Sequence, residues 1–132
     1  MKNKSAFFPL SLLLITSISI TMLLLAFTAP QQTPSVKTNA VKEITPTTAL
    51  SGYVITAAGV TITKHGICLS KGPGPTTKNM IFAAEKAPGP SYNVQFTGLT
   101  PGMKCYIRSF ITTSTETIYG NEISFTTPNP KK

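Results

Sequence analysis

The chain is poor in the residues that do chemistry. It contains no tryptophan, and its four acidic residues are all glutamate (Glu43, Glu85, Glu116 and Glu122), so aspartate is absent altogether. His65 is the single histidine, and the only cysteines are Cys68 and Cys105. Carboxylate-type calcium sites and paired carboxylates for glycoside cleavage lack their raw material. One histidine with no nearby partner in sequence does not make a zinc site, and His65 reads as a surface residue on a strand. A Ser-His-Asp triad lacks its acid, and no Gly-x-Ser-x-Gly elbow is present. The cysteines are too far apart for a Cys-x-x-Cys redox motif. "KGPGPTTK" has glycines and lysines, but its prolines remove backbone donors and it lacks Gly-Lys-Ser/Thr, so it reads as a stiff loop rather than a phosphate cradle. No catalytic residue, cofactor or metal is expected, and the chain reads as a non-enzyme.

Charge is also scarce, at 12% of residues, and its sign needs dissection. The formal net charge of +8 draws on Lys2 and Lys4 at the start, on Lys37 and Lys42, and on Lys131 and Lys132 at the end. Between Thr45 and Thr127 the cations are Lys64, Lys71, Lys78, Lys86, Lys104 and Arg108, scattered among Glu85, Glu116 and Glu122. Nucleic-acid binding needs a concentrated basic stripe. A solvated surface is the better reading, and no nucleic-acid partner is expected.

What is present begins with a long apolar run. Lys2 and Lys4 precede an uncharged stretch from Ala6 to Ala29, the outline of an export signal. The run has the length that spans a bilayer, and its cleavage sites are poor, with Phe27 or Thr28 at positions that want small residues. Residues 1–29 are therefore read as a signal-anchor helix, with a cleaved signal peptide as the alternative. The two lysines stay cytoplasmic by the positive-inside rule, which places the remainder outside. The expected location is the cell envelope, anchored by that helix, or the periplasm or exterior if it is cut. Residues 30–44, "PQQTPSVKTNAVKEI", are polar and aperiodic and read as a flexible tether.

Beyond the tether, short strand signals recur at intervals of about ten residues, separated by Gly/Pro-rich turns. Thr48–Thr56 places Leu50, Gly52 and Val54 on one face, and "AAG" at 57–59 is a turn. Val60–Ser70 reads as the next strand, with a possible kink at Gly66. "MIFAA" suggests a short edge strand and "APGP" a turn. In "SYNVQFTGL", Tyr92, Val94 and Phe96 alternate to one side and Leu99 caps the run. In "KCYIRSFITT", Cys105, Ile107, Ser109 and Ile111 share one face, and Tyr106, Arg108 and Phe110 the other. "TETIYGNE" reads as a hairpin connection closing at Gly120-Asn121, before Ile123 and Phe125 enter the core. Abundant threonine, the turn residues and the lack of any helical period favour an all-β fold.

Five of these pieces, in order, carry a resemblance: "SGYVITAAG", "HGICLS", "GPGPT", "FTGLTPGMKCYIRSF" and "YGNEISFTT". Residues 45–127 resemble the fibronectin type III-like modules of Bacteroidetes surface proteins. The resemblance implies an immunoglobulin-like or fibronectin type III-like sandwich of about seven strands, here preceded by one N-terminal hydrophobic helix and followed by a tail at 128–132. It implies no catalytic residues, a surface location, and a loose role in adhesion or domain spacing. This sequence departs from the pattern at Cys105, which stands where the family has its corner tyrosine, at Leu69, where an aromatic is common, and at Ser109, which stands for alanine. The corner hydrogen bond is then lost, or made by Tyr106.

In such a fold the strands bearing Cys68 and Cys105 are antiparallel neighbours. A disulfide between them would close a loop of 37 residues and add about 3–4 kcal/mol, replacing the corner. The alternative is two buried free thiols acting as small hydrophobes. Tyr106, Arg108 and Phe110 form either a stiffening ladder on the outer sheet or a surface contact patch for a protein or glycan. The functional expectation is a non-catalytic interaction or adhesion module of the cell envelope, with an unknown envelope protein or glycan as partner and the membrane engaged through the N-terminal segment. A structural spacer without a ligand and a carbohydrate-binding accessory protein are the alternatives.

Overall fold

The computed structural model describes residues 30–86 and 89–132. They contain eight strands and no α-helix: β1 (Ser35–Thr38), β2 (Ala49–Thr56), β3 (Lys64–Ser70), β4 (Met80–Phe82), β5 (Glu85–Lys86), β6 (Ser91–Phe96), β7 (Lys104–Thr112) and β8 (Thr117–Thr126). They form two antiparallel four-stranded sheets, ordered β1-β2-β6-β5 and β4-β3-β7-β8. The two sheets bury a shared core, so the all-β sandwich expected from the strand spacing is the architecture observed. The helix expected over residues 1–29 lies outside the described residues.

Alternation builds the core. On β2 the inward residues are Ala49, Ser51, Tyr53 and Ile55. Leu50, Gly52 and Val54 do share a face, as the sequence implied, but it is the outer one. Val94 and Phe96 from β6 and Ile107 and Ile111 from β7 are completely buried. Phe96 is the central aromatic. Its ring lies 5.0 Å from Phe82 in an edge-on contact and 6.2 Å from Phe125 in a stacked one. Ring pairs of this kind add about 0.5–1.5 kcal/mol beyond area burial.

Four expectations about the elements require correction. Residues 30–44 are not a tether throughout. β1 pairs with β2 from Ser35↔Thr56 to Thr38↔Tyr53, and it buries Val36 and Thr38. Two buried positions in a four-residue strand were too short a pattern to stand out from the polar segment around them. The strand read from Val60 begins only at Lys64. Ala58 and Gly59 take positive φ, 51° and 76°, and turn the chain away from the sheet before it returns. Gly66 introduces no kink; it lies within the paired β3–β7 register opposite Phe110.

The last hairpin does not close at Gly120-Asn121. Its turn is Thr113–Glu116, where the Thr113 amide donates to the Glu116 carbonyl (2.9 Å) and the Glu116 amide donates to Thr113 Oγ1 (3.2 Å). Gly120 and Asn121 lie inside the ten-residue β8. A β-bulge between Arg108 and Phe110 shifts the β7–β8 register there. Gly120 is needed because of β1. A Cβ at that position would collide with Ser109 Oγ, the Val36 carbonyl and Thr38 Oγ1.

One side of the sandwich is closed by that approach of β1 to β8. The Thr38 amide donates to Asn121 Oδ1 (2.8 Å), and Asn121 Nδ2 donates back to the Thr38 carbonyl (3.2 Å). The opposite side is closed by the segment 80–86, which passes from the edge of one sheet as β4 to the edge of the other as β5.

Candidate functional site

The outer face of the β4-β3-β7-β8 sheet carries the trio Tyr106, Arg108 and Phe110. The trio is not an open patch. Residues 71–79, between β3 and β4, fold across this face and seat Pro75, which is fully buried. Arg108 Nε donates to the Pro75 carbonyl (3.0 Å), and its guanidinium lies 4.1 Å above the Tyr119 ring. The Thr77 amide donates to the Tyr119 hydroxyl (3.1 Å), and the Gly74 amide donates to Glu122 Oε2. Phe110 is only 3% exposed, because Gly66 leaves room for its ring on the neighbouring strand. A Cβ on Gly66 would approach Phe110 Cε1 to 3.1 Å and the Phe82 carbonyl to 2.9 Å. Tyr106 is half-buried, with Lys104 Nζ 5.3 Å from its ring centre. Arg108 holds the strap in place and Phe110 is buried, which leaves Tyr106 and the flank of Arg108 as the accessible part of the trio.

The cysteines are apart. Cys68 pairs in register with Arg108, three positions along β7 from Cys105. It therefore shares the outer face with Arg108, whereas Cys105 points inward with Ile107. Both are buried free thiols. The proposed disulfide fails on parity: β3 and β7 are neighbours, but their cysteines leave the sheet in opposite directions. Burial pushes the Cys68 thiol up to about 11, partly offset by the Arg108 charge. Burial also raises Cys105, partly offset by Lys71. Neither is an activated nucleophile.

The corner before β7 is not pinned by Tyr106. Thr127, 1% exposed, performs that task from the far end of β8. Its Oγ1 donates to the Thr100 carbonyl (2.6 Å) and accepts from the Met103 amide (3.0 Å). A threonine hydroxyl thus pins the corner, and Cys105 serves as core filler.

His65 is not a bare surface residue either. Its Nδ1 lies 2.6 Å from the Tyr53 hydroxyl and joins the two sheets between β2 and β3. The two groups share one hydrogen bond, whose direction follows the imidazole tautomer. Tyr92 stacks on Tyr53 at 5.1 Å and leans on His65 at 4.5 Å. Burial raises the Tyr53 phenol and lowers the His65 imidazole. No sequence signal singled out this trio, since Tyr53 and His65 meet only when two sheets face each other.

Among the described residues no group of three or more His, Cys or Glu comes together. Every buried side-chain nitrogen or oxygen among them has a hydrogen-bond partner. The edge at β4 stays open. Four large apolar side chains are exposed among the described residues, and two of them, Met80 (60%) and Ile81 (47%), are adjacent on β4. Beside Met80 a notch of about 200 Å³ opens between the sheets, lined by Leu69, Leu99, Met103 and Cys105 with Lys71 at its rim. On the other side of the sheet a groove of about 340 Å³ runs from Ile81 past Thr77 to Lys64.

No family model matches the chain, and no curated protein does. Among solved structures the domain is similar to the sensor domain of the anti-sigma factor RsgI4 in Pseudobacteroides cellulosolvens. The TM-score is 0.58 at 14% identity, over 78% of this chain and 99% of that one. At that identity the likeness is one of fold.

Proposed function

We propose that this protein is a non-catalytic recognition module of the cell envelope, held outside the cytoplasm by its N-terminal segment. The observation that carries the reading is the fate of its reactive side chains. His65 is tied to Tyr53, Arg108 is clamped between Pro75 and Tyr119, and both thiols are buried. Such groups serve packing, and the surface left over is hydroxyl, amide, lysine, a few glutamates and scattered apolar side chains, two of them adjacent on β4. Recognition needs no more than that surface.

The resemblance to fibronectin type III-like surface modules fits the same reading, with adhesion as the form of recognition it suggests. The likeness to the RsgI4 sensor domain favours a second form, in which an external ligand or partner is sensed.

The test is made on the full chain in its own cells. Protease added outside an intact cytoplasmic membrane should cut the domain away, and lysine-directed cross-linking should trap the same envelope protein repeatedly. A domain protected from protease, or one cross-linked only to cytoplasmic proteins, would overturn the proposal.

A further inference from the structure

The β4 edge stands out from the other sheet edges. Soluble sandwiches blunt their edges with charge, proline, bulges or cover. β1 follows Pro34, carries Lys37, and is covered by Asn121. β4 is short, at three residues, but it carries no charge, proline or bulge of its own. Six consecutive residues from Asn79 to Ala84 are uncharged and contain no proline. Among the described residues nothing pairs with the side of β4 that faces away from β3. Retaining Met80 and Ile81 on such an edge exposes the chain to unwanted pairing, unless a partner covers it.

The surroundings of the edge say what that partner would be. A strand laid along β4 turns alternate side chains to opposite faces. Those turned inward reach the notch beside Met80, whose walls are Leu69, Leu99 and Met103. At about 200 Å³ the notch has room for one aliphatic side chain. Flexible methionines on its wall suit it to several such residues. Cations stand around the edge: Lys71 at the notch, Lys64 in the groove beside Ile81, and Lys78 just before β4. Of the carboxylates, Glu122 is engaged by the Gly74 amide. Charge complementarity therefore asks for acid on the partner.

We propose that the free edge of β4 takes up an extended segment of a partner protein as an additional strand, alternating apolar and acidic residues, with an apolar residue seated in the notch beside Met80 and carboxylates meeting Lys71 and Lys64. Backbone pairing supplies affinity, and the notch and the lysines supply selectivity. The inference rests on the recognition-module reading and specifies its surface.

The test uses the full chain in detergent and a fluorescein-labelled peptide of alternating glutamate and valine. A peptide with lysine for each glutamate is the control. The expected result is saturable binding of the acidic peptide, weakened about tenfold or more by Ile81→Lys and by Lys71→Glu, a loss of about 1.4 kcal/mol or more. Both positions are exposed, and unchanged thermal unfolding would confirm that the variants fold. Equal binding of the lysine peptide, or undiminished binding by both variants, would overturn the proposal. So would a dimeric wild type made monomeric by Ile81→Lys, because a second copy would then be the occupant. In cells, an envelope partner still cross-linked to the Ile81→Lys protein would sink the edge while leaving the recognition module standing. A domain inside the cytoplasm would remove both.

Discussion

The side-chain amide of Asn121 bonds the backbone of Thr38 at both its amide and its carbonyl, as a neighbouring strand would. The Thr38 side chain completes the joint. Its hydroxyl donates to the Asn121 carbonyl (2.6 Å) and accepts from the Ser109 amide (3.0 Å). With the Thr38 proton so used, Ser109 Oγ must donate to Thr38 Oγ1 across their 2.8 Å contact. The bulge at Arg108/Phe110 leaves the Ser109 amide free for this purpose. Asn121→Ala should therefore destabilise the domain by about 2–3 kcal/mol, as two backbone groups lose partners in a partly buried site. Thr38→Val should be similarly damaging despite its near-identical shape. Chemical denaturation of the variants measures both.

Three glycines give a graded comparison. Gly120→Ala should be the most damaging, since its Cβ meets two hydroxyls and a carbonyl. Gly66→Ala forces Phe110 or β4 to shift and should cost about 1–3 kcal/mol. Gly72→Ala meets nothing within 4 Å and should be neutral or slightly stabilising. Melting temperatures in that order confirm the packing of β1 and Phe110, and a harmful Gly72→Ala would contradict it.

Acid should loosen the junction between β2 and β3. Burial lowers the His65 imidazole below its ordinary value of 6.5, so the folded state prefers the neutral ring. A depressed value contributes stability that is fully present above about pH 6.5 and is lost as pH falls toward the folded value. Unfolding free energy measured from pH 7.5 downward, about a unit past the imidazole range, should fall more steeply in the wild type than in His65→Gln. Parallel curves would show that His65 is not the titrating group.

Both thiols should be countable and slow. Unfolded without reductant, the protein should react at Cys68 and Cys105 alike, with no increase on prior reduction. In the folded state Cys68, with its thiol near 11 and fully buried, should be the slower to alkylate. Mass spectrometry of partly alkylated protein distinguishes the two sites, and a mass two hydrogens short before reduction would restore the disulfide.

The strand spacing and alternation carried most of the fold. Val94, Phe96, Ile107 and Ile111 sit where period-two patterning puts them, because burial on one face leaves a direct trace in sequence. β1 left almost none: Val36 and Thr38 are buried by β2 and β8, partners distant in the chain. Gly120-Asn121 looked like turn chemistry, and tertiary contact claimed both residues for another purpose. The glycine admits β1, and the asparagine substitutes for a strand. Phe110 was placed on the correct face of β7, yet the cover by residues 71–79 could not be read from its alternation. The cysteines show the same limit. Neighbouring strands were legible, but the face of Cys68 depends on register, and register was not.

The approach of β1 to β8 has a mechanical consequence. Val36 lies beside Gly120 and Thr38 beside Asn121, so the two strands run in the same direction, and the chain enters the sandwich at one pole and leaves it at the other. A pull on those two ends stretches the Thr38–Asn121–Ser109 bonds in shear, loading them together instead of peeling them singly. This small polar clasp would set the force at which the domain gives way.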